Sequence, residues 1–290
     1  IMKTIKIIKY FFEFFFILIF FFIFKILGYK LASNLGAKII GLFGPLFRPK
    51  KRILSNITKS LKDINDNDAK NILNNMWSNY GRILSDYVFI KDFRNSNLDS
   101  FLTVEGLDIL NKIKQTNEPV IFVSGHFNNF ELMAMQIEKS GINVAAIYRP
   151  LNNIFLNKIM ENIRIKYICK NQIKKGLSGT RELLQYFKKN HSIALMIDQR
   201  VTEGIKINFY ERLAFTTTIP AQLVKKYKCK VVPIYIERIN KFNYKMCVNS
   251  PLTFSETSTI ENITTDLNNW LEKMIRKNPS QWIWSHDRWK

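Results

Sequence analysis

Along most of the chain, short apolar runs alternate with longer segments in which apolar residues recur every three or four positions. The short runs predict buried strands at 101–104, 120–123, 144–148, 192–197, 231–237 and 245–248. The helical spacing predicts helices between them, of which the clearest are 69–88, 105–115, 131–137, 179–189, 221–227 and 260–276. Because the two patterns alternate, we expect an α/β fold with a mostly parallel or mixed sheet flanked by helices.

The first 30 residues follow neither pattern. Residues 10–27 are apolar on every side, with charges only at Glu13 and Lys25, and this run of 18 is just long enough to cross a bilayer as a helix. A secretory signal peptide is the alternative, since three lysines precede the run, but no A-x-A cleavage site follows it. The pattern predicts a membrane anchor over 1–30 and one further domain over 31–290.

Positive charge dominates the composition, with 44 Lys and Arg against 23 Asp and Glu and a net charge of +21. This balance favours an anionic partner, which includes lipid phosphate, an acidic protein and nucleic acid. The aromatic residues follow core periodicity rather than a basic patch, which argues against nucleic acid. A basic run at 48–52 suits anionic inner-membrane lipids, and the alternative is a solvated run of charges. By the positive-inside rule it places the body of the protein in the cytoplasm, with 31–47 forming short helices along the membrane.

The candidate chemistry centres on His126, which lies between a predicted strand and a predicted helix, with Glu131 five residues later. In one continuous helix such residues point about 140° apart, so the two can meet only if His126 precedes the helix. An imidazole can take a proton from an alcohol, and a carboxylate on its other nitrogen fixes the tautomer. In the alternative interpretation, Asn128 and Glu131 form a helix capping pair and His126 is structural.

Three polar clusters follow predicted strands, at 126–131, 149–153 and 198–200. Ligands of α/β sheets bind beyond the carboxyl ends of strands, so the clusters predict one shared site. For Asp198 and Arg200 the alternative is an ion pair that closes the strand end. The three cysteines lack metal-ligand spacing and no phosphate-binding glycine motif is present, so neither structural zinc nor nucleotide is expected. A non-catalytic, basic, membrane-anchored binding protein remains an alternative of another class.

These segments resemble a known family. Residues 125–131 (GHFNNFE) resemble the G-H-x-G-N-W-E block of the bacterial lipid A biosynthesis lauroyl and myristoyl acyltransferases, within the lysophospholipid acyltransferase superfamily. Residues 148–153 resemble its second block, and 198–200 with 212–216 and 231–233 resemble its third. Residues 279–290 are similar to its C-terminal P-x-Q-Y-x-W-x-H-x-R-F-K. The blocks occur in order along nearly the whole chain, with Asn128 in place of Gly and Phe130 in place of Trp.

The resemblance implies a single-pass inner-membrane enzyme, with its catalytic domain on the cytoplasmic face. It would move an acyl chain from acyl carrier protein, or coenzyme A, to a hydroxyl of a lipid A precursor, without metal or cofactor. A lysophospholipid or another glycolipid is the alternative acceptor. His126 would be the general base assisted by Glu131, and Arg149 and Arg200 would bind acceptor phosphate. The other residues expected to contact substrate are Phe127, Asn128, Asn129, Pro150, Asn153, Asp198 and Gln199.

Outside these blocks, His191 is expected to be structural, as is His286 within the last one. Trp282, Trp284 and Trp289 are expected either in the core or at the membrane interface.

Overall fold

The computed structural model describes residues 2–290. The strands are β1 Leu102–Glu105, β2 Ile121–Ser124, β3 Val144–Tyr148, β4 Asn171–Lys174, β5 Ser192–Met196, β6 Ile205–Phe209, β7 Arg212–Thr216, β8 Val231–Arg238 and β9 Tyr244–Val248. Seven of them form one sheet in the order β1-β9-β8-β2-β5-β3-β4, and β6 and β7 form a separate hairpin. From β8 to β4 the neighbours are parallel, whereas β9 runs antiparallel to β8. The predicted mixed α/β sheet is confirmed.

Helices surround this sheet. Their bounds are α1 Met2–Phe47, α2 Lys50–Ser60, α3 Asp66–Asp86, α4 Ile90–Arg94, α5 Leu107–Thr116, α6 Glu131–Lys139, α7 Ile154–Ile163, α8 Leu177–Lys188, α9 Ile219–Tyr227 and α10 Ile260–Lys277. A π-helical turn, Arg164–Ile168, continues α7. The long amphipathic helix predicted at 69–88 is α3, and most other predicted helices agree with the structure within three residues.

The sequence pattern missed three strands. In β4 the only buried side chain is Ile173, because this strand lies at the edge of the sheet. Its other residues are polar, so the segment lacks the apolar run that would predict a strand. The hairpin strands β6 and β7 alternate buried and more exposed residues, and both lie in a segment where no strand was expected. These three strands lie at the margins of the fold, so the predicted architecture stands without them.

The N-terminal helix α1 has two parts that join at Gly28, where a φ of 74° produces a kink. Its first part is long and apolar enough to cross a membrane. Its second part packs against α3 so closely that a Cβ on Gly36 would lie 2.4 Å from the carbonyl oxygen of Gly81. Of the one or two short helices expected at 31–47, the structure has one, and it packs against α3, although Leu46 and Phe47 at its end remain exposed.

The C-terminal tail, residues 279–290, is built into the core. Trp282, Trp284 and Arg288 are among the largest fully buried side chains of the described chain. Arg288 donates hydrogen bonds to the Phe215 carbonyl and the Thr216 hydroxyl of β7. For Trp282 and Trp284, the structure selects the core over the membrane interface.

Candidate active site

His126 reaches its partner through the register of the sheet. Strands β2 and β5 are parallel neighbours, and Ser124 of β2 lies opposite Met196 of β5. His126 lies two residues beyond Ser124, and Asp198 lies two residues beyond Met196. The two side chains therefore meet at the carboxyl edge of the sheet. The Nδ1 atom of His126 lies 2.7 Å from Oδ1 of Asp198, and the His126 backbone N–H donates to Oδ2 at 2.7 Å.

Asp198 is fully buried, and three hydrogen bonds keep it ionised. Burial by itself would raise its pKa, but the charge of His126 and the hydrogen bonds from His126 and Trp282 outweigh that effect and lower the pKa to about 2. A carboxylate only accepts hydrogen bonds, so in the neutral imidazole Nδ1 of His126 carries the proton and the lone pair is on Nε2. Nε2 lies 3.3 Å from Nε2 of Gln199. This arrangement suits a general base whose tautomer is held by a buried carboxylate.

Glu131 lies elsewhere than the sequence predicted. Its Oε1 accepts hydrogen bonds from Nε and Nη2 of Arg164, at 2.8 and 2.6 Å, and from the Tyr87 hydroxyl at 2.5 Å. The expected direct hydrogen bond from His126 to Glu131 is replaced by the bond to Asp198. The capping alternative is also absent, since Phe130 is the N-cap of α6 and Glu131 is its first residue. Glu131 is the first residue of α6, and its side chain contacts Arg164 of the π-helical turn.

Three residues next to His126 support the turn rather than the cavity. Phe127 is buried and its ring packs edge-on against that of Tyr235. Asn128, with a φ of 44°, adopts the left-handed conformation that Asn tolerates better than most residues. Its Nδ2 donates to Gln281 at 2.6 Å, and the Asn129 side chain lies 3.4 Å from Asp86. Phe127, Asn128 and Asn129 therefore support the turn that carries His126 and do not line the cavity.

Asn153 is likewise outside the cavity. Its side chain caps α7 by accepting hydrogen bonds from the backbone N–H groups of Phe155 and Leu156. Its Nδ2 donates to the Tyr10 carbonyl of α1 at 2.8 Å. This residue connects the second polar cluster to the apolar N-terminal helix.

A cavity of about 1050 Å³ lies beside His126. Of the predicted site residues, it is lined by His126, Glu131, Arg149, Pro150, Gln199 and Arg200. One part of its wall is apolar and comes from the sheet, α6 and the π-helical turn, with Phe122, Met133, Ala134, Ile137, Ala146 and Ile168. Another part is basic and more exposed, with Arg48, Arg52, Arg149, Lys175, Arg200 and Lys290. The three predicted clusters thus meet at one cavity, as expected.

Positive charge is concentrated at this basic rim. Partial burial and the nearby charge of Arg149 both lower the pKa of Lys175. Arg52 lies 3.7 Å from Asp287, which offsets one of the positive charges. Like charges gathered at a cavity favour an anionic ligand, because binding it relieves their repulsion.

Sequence reasoning missed Tyr87, Arg164 and the C-terminal contacts. Arg164 carried no distinguishing signal, since Lys158 and Lys166 are basic residues of the same segment. His286 was expected to be structural, and its Nε2 accepts a hydrogen bond from the Arg200 backbone at 3.1 Å. Burial lowers the pKa of His286 to about 4, which keeps it neutral as this bond requires.

Residues 2–290 match the bacterial lipid A biosynthesis acyltransferase family. The chain is similar to lipid A biosynthesis acyltransferase 2 of Shigella flexneri, with 20% identity over 86% of this chain and 80% of that protein. It is also similar to the lipid A biosynthesis palmitoleoyltransferase of Escherichia coli (strain K12), with 21% identity over 91% of this chain and 86% of that protein. A family match along the whole described chain, around a His–carboxylate pair at an apolar cavity, shows that the protein belongs to the bacterial lipid A biosynthesis acyltransferases.

Proposed function

We propose that the protein transfers a fatty acyl chain from acyl carrier protein, or coenzyme A, to a hydroxyl of a lipid A precursor. The observation that carries this proposal is the His126–Asp198 pair at a cavity with one apolar and one basic wall. An acyl chain fits the apolar wall, and a phosphorylated glycolipid fits the basic rim. Both substrates would then meet at Nε2 of His126.

In this reaction, Nε2 of His126 takes the proton of the acceptor hydroxyl as its oxygen attacks the thioester carbonyl. Asp198 holds the tautomer and stabilises the imidazolium that forms. When the tetrahedral intermediate collapses, the C–S bond breaks and the thiolate takes the proton back from His126. The products are the acylated lipid and the free thiol, and the enzyme returns to its starting state. Gln199 lies where the acceptor hydroxyl must approach, so it yields this position when the acceptor binds.

Glu131 acts in this proposal by holding Arg164. The pair is buried, with exposed side-chain fractions of 8% and 10% respectively, so the guanidinium has little freedom to leave. Nη1 of Arg164 is buried and has no hydrogen-bond partner among the described residues. Both side chains line the cavity, and this free N–H can donate to the negative charge that develops on the thioester oxygen.

Arg149 and Arg200 are assigned to acceptor phosphate, since both line the cavity and Arg149 is exposed at its rim. A guanidinium binds phosphate oxygens in a bidentate manner. Pro150 helps to shape this rim. Phe127, Asn128, Asn129 and Asn153 contribute indirectly, by holding the turn and α7 in place.

We propose that α1 anchors the protein in the inner membrane, with the body on the cytoplasmic face. The apolar first part of α1 supports the anchor, and the basic residues at 48–52 suit anionic lipids on that face. Arg48 and Arg52 also line the cavity, which would place its rim next to the lipid headgroups. An acceptor could then reach His126 without leaving the membrane.

The test is mass spectrometry of lipid A from cells with and without the protein, together with transfer by the purified protein from acyl carrier protein to a lipid A precursor. We expect a mass difference of one acyl chain, which His126→Ala abolishes. Unchanged lipid A combined with no transfer to the precursor would reject the acceptor. Transfer to a lysophospholipid alone would support the alternative acceptor.

A further inference from the structure

The C-terminal tail holds both loops that carry the proposed machinery. The carbonyl of Gln281 accepts a hydrogen bond from the backbone N–H of Asn128, two residues after His126, at 2.9 Å. The indole Nε1 of Trp282 donates to Oδ2 of Asp198 at 2.8 Å. Of these contacts, only the one from Trp282 reaches the carboxylate that holds His126.

We propose that Trp282 is a positioning residue for acyl transfer: its indole N–H fixes the Asp198 carboxylate in the orientation that holds the His126 imidazole. This inference rests on the proposed function, in which His126 is the general base. Trp282 touches neither substrate nor the reacting atoms, so it acts through Asp198.

The geometry of the carboxylate supports this role. Oδ1 of Asp198 faces Nδ1 of His126, whereas Oδ2 is held by the His126 backbone and by Trp282. Without the indole N–H, one of the two hydrogen bonds to Oδ2 is lost, and the carboxylate is held by two hydrogen bonds in place of three. Trp282 is 1% exposed and Asp198 is 0% exposed, so bulk water has no direct access to replace the missing donor. A hydrogen bond to a buried charge is among the stronger ones in proteins.

The chain offers a matched control in Trp284. The two indole rings lie 4.7 Å apart, edge to face, and Trp284 is 0% exposed. Nε1 of Trp284 also donates one hydrogen bond, but to the Pro279 carbonyl within the tail, at 2.8 Å. Replacing either tryptophan with Phe removes one indole hydrogen bond and a similar buried volume. Only Trp282→Phe removes a donor to Asp198.

The experiment compares Trp282→Phe and Trp284→Phe in the full chain, purified in lipid nanodiscs, by melting temperature and steady-state acyl transfer. We expect similar falls in melting temperature. Turnover should fall about tenfold in Trp282→Phe, since a hydrogen bond to a charged group contributes more than an ordinary one. In Trp284→Phe, turnover should stay within about twofold of the wild-type value. The KM values for donor and acceptor should stay unchanged in both variants.

The pH profile of turnover gives a readout that a purely structural role would not move. Asp198 faces His126, Tyr80 of α3, and His286 and Arg288 of the tail. Burial raises the pKa of Tyr80, and burial lowers that of Arg288 to about 10 and that of His286 to about 4, so these three keep their charge states near neutral pH. Removing the indole N–H leaves more negative charge on Asp198 towards the imidazolium. The acidic limb should therefore move to higher pH in Trp282→Phe and stay in place in Trp284→Phe.

The outcomes separate this inference from the proposed function. If Asp198→Asn is inactive but Trp282→Phe matches Trp284→Phe in turnover and pH profile, the inference is overturned and the proposed function stands. If His126→Ala and Asp198→Asn both keep normal acyl transfer, the general-base assignment falls and this inference falls with it; if the wild-type protein transfers no acyl chain, the proposed function falls. If Trp282→Phe does not fold, β-(3-benzothienyl)alanine at position 282 keeps the ring shape without the N–H. This analogue should lower turnover about tenfold relative to the wild type, as expected for Trp282→Phe. Normal turnover would overturn the inference.

Discussion

Two buried carboxylates lie near His126, and their surroundings differ. Asp198 is fully enclosed and accepts hydrogen bonds from the imidazole, a backbone N–H and an indole. Glu131 is 7% exposed, lines the cavity and is paired with the guanidinium of Arg164. One carboxylate is thus available to a histidine, whereas the charge of the other is already compensated by arginine. Proximity in sequence favours Glu131, but the register of the sheet brings Asp198 to His126.

The largest expected effect comes from breaking the His126–Asp198 pair. His126→Ala removes the proposed general base, and turnover should fall by about 10²- to 10⁴-fold. Asp198→Asn should lower turnover by a comparable factor, because an amide cannot stabilise the imidazolium. Their double variant should be little worse than either single one, since residues that act as a unit are not additive. Independent, multiplying losses in single-turnover assays would contradict the pairing.

Arg164→Ala sharpens the contrast by removing the partner of the second carboxylate. It leaves Glu131 ionised and largely buried, so the free energy of unfolding should fall by about 3–5 kcal/mol. Glu131→Gln should also reduce both stability and turnover, but turnover less than Asp198→Asn does. The double variant Glu131→Gln, Arg164→Gln should recover much of the stability and little of the activity. Denaturant unfolding and acyl transfer measure these two quantities.

Arg149 tests the basic rim without touching either carboxylate. Arg149→Ala should raise the KM for the acceptor about tenfold with little change in donor KM, since one charge-assisted phosphate contact is lost. Arg149→Lys should recover only part of this, because an ammonium cannot form the bidentate pair. Arg276→Ala is the control, as Arg276 lies 3.9 Å from Asp63, and neither residue lines the cavity. Equal effects on both KM values would reject the phosphate assignment.

The smallest effect concerns acid stability. The pKa of Asp198 falls from the usual 3.8 to about 2 in the folded protein, so its contribution is fully present above pH 4 and is lost as the pH falls towards 2. The difference is worth about 2 kcal/mol. Between pH 5 and pH 2.5 we expect the wild type to lose about 1.5 kcal/mol more stability than Asp198→Asn in urea unfolding, because the carboxyl in the folded protein is still partly ionised at pH 2.5. Parallel pH dependences of the two proteins would show that Asp198 is not held ionised by folding.

The alternation of apolar runs predicted the sheet and most helices because buried strands and helix faces repeat at fixed periods. The same pattern placed His126, Arg149 and Asp198 at strand ends and so brought them to one edge. It did not reveal that β2 and β5 are neighbours, because strand order depends on packing between segments 72 residues apart. Hence the sequence offered Glu131 as the partner of His126. The hydrogen bond from Trp282 to Asp198 is not predictable from the sequence for the same reason. An apolar pattern can indicate that an aromatic residue is buried, but it does not indicate which atom accepts its N–H.

The position of the tail has a consequence for synthesis of the protein. Translation runs from α1 towards the tail, so the proposed membrane anchor is made before the residues that complete the proposed site. Gln281 and Trp282, which hold the loops of His126 and Asp198, follow the apolar run at 10–27 by more than 250 residues. If α1 inserts as proposed, a growing chain would reach the membrane before these two residues are made. Acyl transfer would begin only once they have packed against the two loops, and a chain truncated before them would be anchored but inactive.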